Sequence, residues 1–134
     1  MGIKLIKISA VYFGIGIILG YYMSIVHSYA LTPVHVHINL LGWTSLTLAG
    51  LIYYLFPAFS ESKLAKLHVW LHNIGLPVMM IGLFFMIVLE NQAFTPVVAA
   101  GATLTAIGVL IFVYHILKNL KSERKAKKVV NDGC

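Results

Sequence analysis

Acidic residues are almost missing: only four Asp and Glu occur among 134 residues, against ten Lys and Arg. Charged residues of both signs together reach 10%, where a soluble domain carries roughly 25%. A chain so poor in charge cannot solvate a globular surface, and at 60% hydrophobic residues it cannot be intrinsically disordered. Cysteine is missing from the body of the chain. The one thiol, Cys134, is the last residue, so no internal disulfide forms and cysteine usage says nothing of compartment. A net charge of +6 would point to nucleic acid in a soluble protein, but the basic residues here flank apolar runs. The partner they imply is the lipid bilayer, and no nucleic acid is expected.

What the chain does have is four apolar runs, each long enough to cross a bilayer as about 20 residues of helix. They read as Ile8–Tyr29, Val34–Phe56, Leu67–Leu89 and Phe94–Leu117. Short connections make successive spans antiparallel neighbours, and no repeat or second domain is visible. The expected architecture is all-α: a four-helix transmembrane bundle over residues 1–117, then a basic tail over 118–134 that frays into disorder. Lys4 and Lys7 precede the first span, Lys63 and Lys66 separate the second from the third, and the remaining basic residues come after the fourth. All fall on one side if both termini are cytoplasmic, which is the positive-inside orientation. The expected location is the cell membrane, read as a prokaryotic cytoplasmic membrane, in multi-pass form. Lys4, Lys7 and Ser28-Tyr29-Ala30 also resemble a cleavable signal peptide, but the apolar stretch, about 19 residues, exceeds the usual 7–15. A retained span is the expectation.

Small residues mark where helices meet. Gly16 and Gly20 form a GxxxG pair, Gly75 and Gly82 lie a heptad apart, and Gly101, Thr105 and Gly108 share a face. They serve contact within the bundle, or a homodimer through the first span.

Six histidines stand out in a chain with so little charge, because polar side chains inside a bilayer are costly and functional by default. The orientation sorts them into an outer group, His27, His35 and His37, and an inner group, His68, His72 and His115. His35 and His37 are about 200° apart around a helix and point to opposite faces, so each serves a different partner. Asn39, one turn from His35, is a candidate hydrogen-bond partner for it. Trp43 lies too deep for an interfacial belt and is expected to pack on a ligand or neighbour. Tyr21, Tyr22, Tyr53, Tyr54 and Trp70 read as such a belt. His72 and His115 are expected at similar depth, as a second site, whereas His68, beside Lys66, can stay in water. The bland alternative for His72 is a bond to a backbone carbonyl near Pro77.

An imidazole on each of two opposing helices in an apolar slot suits haem iron, which takes axial histidines above and below a flat macrocycle. Zinc would need three or four converging ligands, which neither group supplies. Copper would rest on Met23, Met79, Met80 and Met86 as soft ligands, though Met is also an ordinary gap-filler. Covalent haem c is excluded, since there is no Cys-x-x-Cys-His.

The stretch His35-Val36-His37-Ile38-Asn39-Leu40-Leu41-Gly42-Trp43, followed by Tyr53-Tyr54-Leu55-Phe56-Pro57, resembles the tenth helix of subunit I of haem-copper oxidases and nitric oxide reductases. Lys66-Leu67-His68-Val69-Trp70-Leu71 with Gly75 resembles the helix after it. The resemblance covers the second and third spans and reaches toward the fourth. It implies that His35 binds one haem and His37 another on the opposite face. The departures are substantial. The His-His pair of the family's copper site is absent, and so is the early helix that supplies the second ligand of its low-spin haem. Only His27, an inner histidine or a second copy of the chain could replace that ligand. His72 stands where the family has a small residue.

The expected function is that of a membrane haem b protein, with one haem or more, acting in electron transfer or in binding a diatomic gas such as O2 or NO. If it is an enzyme it is an oxidoreductase, and full oxygen reduction at a haem-copper centre is not expected. A homodimer is expected, with a redox partner or quinone as electron source. The alternative is a copper- or haem-handling accessory factor of a respiratory oxidase, or a structural small subunit.

Overall fold

In a computed structural model, which describes the backbone of residues 1–131 and the side chains of residues 1–119, every regular element is helical. Four helices carry the chain: α1 (Gly2–Val26), α2 (Thr32–Leu55), α3 (Lys63–Val88) and α4 (Thr95–Asn131). Each contains a stretch long and apolar enough to cross a membrane. Helices α1 and α3 start several residues before their apolar runs. Lys is a good helix former, and its stem can lie along apolar surface while the amine stays in water. Hydropathy marks the apolar slab; the helix outruns it. Helix α4 likewise continues past Leu117, and the end of the basic tail lies outside the described residues.

The breaks have local causes. Helix α1 ends where His27 turns left-handed at φ 50°, a conformation His tolerates better than branched residues. Pro33 opens α2, where its missing N–H costs nothing. Phe56, pushed off the helical region by Pro57, ends α2, and a single helical turn (Pro57–Ser60) leads to Ser62. The Ser62 hydroxyl caps α3 by accepting from the Ala65 N–H at 3.0 Å. Glu90, also left-handed, and Asn91, whose side chain accepts from Ala93 N, close the turn into α4.

Helix α2 is not uniform. It is α-helical over Thr32–His37, π-helical over Ile38–Ser45, and α-helical again over Leu46–Leu55. Helices α1 and α2 form one antiparallel hairpin and α3 and α4 another, and the two meet where α2 passes α3. Glycines set the closeness of both seams. A Cβ on Gly16 would lie 2.6 Å from the Asn39 side chain, and one on Gly75 would lie 2.6 Å from Thr105 Oγ1. The Gly16–Gly20 face is therefore filled by α2 of the same chain and is not presented to a second copy.

One core cluster joins Leu5, Leu46, Ala49, Tyr53, Phe59 and Ala65; the other joins Val34, Ile38, Leu76, Met79 and Met80. Gly2 meets the end of α2, and His115 of α4 meets Ser62, so Lys4, Lys7, Lys63, Lys66 and Lys118 gather, exposed, at one end. We call it the basic end. His27, Tyr29 and Glu90 lie at the opposite end.

Candidate functional site

At the end opposite the lysines, α1 and α2 hold His35 between them. Its Nδ1 lies 2.9 Å from the Gly16 carbonyl oxygen on α1. A carbonyl only accepts, so Nδ1 carries the proton and Nε2 keeps a free lone pair. Gly20 makes room: a Cβ there would sit 2.8 Å from the ring carbon Cε1. Asn39 fits the partner role expected of it, its Nδ2 donating to the His35 carbonyl at 2.9 Å. The 3.4 Å approach of the same nitrogen to His35 Nδ1 sets hydrogen against hydrogen and is not a bond.

His37 solves the same problem within its own helix. Its Nδ1 donates to the Pro33 carbonyl, one turn back, at 2.7 Å. The ring is half-buried and its Nε2 bonds to no described residue. The two imidazoles thus hold the same tautomer but face different partners, α1 for His35 and α2 itself for His37. Trp43 stacks on Phe13 of α1, centroids 4.7 Å apart, so it braces the hairpin as a buttress to a neighbour. His27 is exposed at the stop of α1, where its position is explained by the left-handed cap.

Toward the basic end, the seam between α3 and α4 contains three more imidazoles, His68, His72 and His115, each 1% exposed. The expectation that His68 stays in water is corrected. Because α3 starts at Lys63, His68 lies more than a turn inside it, with Nδ1 2.9 Å from the Tyr53 hydroxyl and its ring stacked on Phe112 at 4.7 Å. Tyr53, read from sequence as belt, is likewise buried; Tyr21, Tyr22, Tyr54 and Trp70 are exposed. His115 Nε2 lies 2.9 Å from Ser62 Oγ, with its ring against Phe59 at 3.9 Å.

His72 donates from Nε2 to the Leu41 carbonyl of α2 at 3.1 Å. It does bond a backbone carbonyl, but across the hairpins and not near Pro77. The similar depth expected for His72 and His115 is also corrected. His72 lies beside Gly108 and His115 beside Ser62. Seven residues of α4 separate those levels, about 10 Å along the axis, and His68 stands between. Depth counted from hydropathy edges fails here because the helices overrun those edges.

Among the described residues no group of three or more His, Cys, Asp or Glu side chains is placed to hold a metal ion. The outer pair offers two separate imidazole donors with orienting bonds already made. In the inner trio Phe59 covers a ring face of His115 and Phe112 one of His68, and the Nδ1 atoms of His72 and His115 are buried without a described partner. Nothing in the sequence marks Tyr53, Ser62 or Phe112 as partners of these histidines; their meeting depends on helix ends that hydropathy does not locate. No family model, curated protein or solved structure matches the chain.

Proposed function

We propose that this chain is a haem b protein of the membrane, related to haem-copper oxidase subunit I through its His-x-His helix. Its role is electron transfer or the binding of a diatomic gas, with His35 and His37 each a ligand to a separate iron. The observation that carries this reading is the tautomer of the pair. Both Nδ1 protons are committed to backbone carbonyls, at Gly16 and Pro33, and both Nε2 lone pairs are left over. That is how a metal-ligating histidine is ordinarily oriented, its second nitrogen fixing the ring and the first facing the metal.

The donor set fits haem better than a bare ion. A porphyrin brings four nitrogens of its own and asks the protein for one or two axial ligands, whereas zinc asks for three or four. Bound haem supplies an iron that exchanges single electrons and accepts a diatomic ligand where an axial position is open. His37, half-buried and held by its own helix, is the ligand for a group seated on the outward face of α2. His35, held by Gly16 and flanked by Asn39 in the seam between α1 and α2, is the second ligand, with its Nε2 left unbonded. At the inner trio the nitrogens without described partners, His72 Nδ1 and His115 Nδ1, are fully enclosed, so we assign haem to the outer pair.

A second copy would complete the coordination of a haem held by one His37, which is the homodimer reading. A quinone or a redox partner protein is the electron source. The gathering of lysines at one end supports cytoplasmic termini in a cell membrane. The test is haem content and visible spectrum of the purified protein beside its His35→Ala and His37→Ala variants. A colourless protein would favour the accessory-factor reading.

A further inference from the structure

We infer that His72 is a positioning residue: it holds the π-helical stretch of α2 in register, and that register sets where His35 and His37 stand. The functional half of this rests on the reading of His35 and His37 as iron ligands; the half about register does not.

The π stretch opens at Ile38, the residue after His37, and runs for 8 residues. A π turn spaces its backbone bonds five residues apart instead of four, and such turns are rare, mostly single, and frequent at functional sites. Between apolar helices a carbonyl that misses its partner finds no water to replace it. Two consecutive carbonyls in the middle of the stretch receive side-chain donors. Ser45 Oγ donates to the Leu40 carbonyl at 2.8 Å, from one π turn ahead in the same helix. His72 Nε2 donates to the Leu41 carbonyl at 3.1 Å, from α3 in the other hairpin.

The donor itself is fixed from several sides. The His72 ring stands edge-on to His68, centroids 5.6 Å apart and planes at 76°, and His68 is pinned by Tyr53 and Phe112. Helix α4 comes so close at Gly108 that a Cβ there would lie 3.1 Å from the His72 backbone nitrogen. His72 Nδ1 is left buried with no described partner, so the ring is oriented for the Leu41 contact and not for its own satisfaction.

If the stretch relaxed to α-helix, a slip of one residue would rotate the Thr32–His37 half of α2 by about 100° against the Leu46–Leu55 half. The Leu46–Leu55 half is held in the core by Leu46, Ala49 and Tyr53. Of the buried residues in the half that carries His35 and His37, Val34 alone enters the other cluster, so that half is the more weakly held and is the one to turn. His35 would then swing away from the Gly16 carbonyl and from the space Gly20 leaves for its ring. A histidine at mid-depth, level with Leu41, thereby governs the geometry of the pair a turn and more further along α2.

The experiment places nitroxide labels on α2 on either side of the stretch, at Val36→Cys and Leu51→Cys, in a Cys134→Ser background. Both sites are exposed, at 40% and 42%. Pulsed dipolar resonance then reads the distance between them in four proteins: unchanged, His72→Phe, His72→Gln and His115→Ala. Phe keeps an aromatic ring and removes the donor, Gln restores an N–H donor, and His115→Ala empties a buried imidazole that does not touch α2. The expected result is one narrow distance in the unchanged, Gln and His115→Ala proteins, and a shift of several ångströms or a second population in His72→Phe. In haem-loaded protein the Phe variant also shifts the visible spectrum, and Gln restores it. Should His72→Phe not assemble, His72→Leu carries the same expectation. An unchanged distance in the donor-free variant overturns the proposal, and so does an equal change in His115→Ala. If no protein in the set binds haem, the distances still decide the question of register, and only the ligand reading falls.

Discussion

A neutral imidazole has one donor and one acceptor, and each hydrogen-bonded histidine here is defined by where its proton goes. His35 and His37 spend theirs on carbonyls and keep Nε2. His72 does the reverse, spending Nε2–H on Leu41 and leaving Nδ1 alone. His68 shares Nδ1 with a phenol, which can donate or accept. Tyr53→Phe therefore strips the only described bond from His68 Nδ1 while keeping the ring's packing. Leaving one buried partner unsatisfied costs about 1–3 kcal/mol, while removing both partners together is nearly neutral. Unfolding in mixed micelles should show Tyr53→Phe destabilised within that range and Tyr53→Phe/His68→Leu less so than the sum of the single changes. Equal additivity would mean that the two side chains do not interact.

At the scale of helices, the two hairpins close because small residues let backbones touch. The stripes on α1, α3 and α4 are readable in sequence as small residues three, four or seven apart, and the structure puts each against a neighbour within the chain. Gly14, by contrast, has nothing within 4 Å of where its Cβ would be. Gly14→Ala should thus be neutral or stabilise by up to about 1 kcal/mol through helix propensity alone. Gly101→Leu would drive a side chain into the Met79 backbone and separate α3 from α4. Thermal aggregation in detergent should come at the unchanged or a higher temperature for Gly14→Ala and markedly lower for Gly101→Leu. Similar behaviour of the two would contradict the seam.

Helix number, order and antiparallel pairing are legible in hydropathy and loop length, and a spacing of four is enough to pair Asn39 with His35. Depth is not legible in the same way. Lys63 and Lys66 lie inside α3, which carries His68 out of water and sets His115 against Ser62 in place of His72. The π stretch is invisible too, because Ile38–Ser45 has no composition that distinguishes it from α-helix; tertiary contacts such as His72 with Leu41 hold it.

On the scale of the whole molecule, the protein is a polarised object, with described lysines at one end and the His35/His37 pair toward the other. The proposed orientation puts Cys134 inside the cell and Glu90 outside. A membrane-impermeant maleimide added to intact cells should label Glu90→Cys in a Cys134→Ser background and leave native Cys134 untouched. Labelling of Cys134 from outside would invert the topology and move the His35/His37 pair to the cytoplasmic side.

Iron at the outer pair is the central claim. The most direct measurement is the visible spectrum, oxidised and dithionite-reduced, of protein purified from cells supplied with haem precursor, read beside His35→Ala and His37→Ala. The predicted result is a Soret band in the unchanged protein. Each single variant should lose or alter it, and the two should differ in spectrum because the rings face different partners. A colourless protein, or two variants with unchanged haem content and spectra, would contradict the assignment of His35 and His37 as ligands.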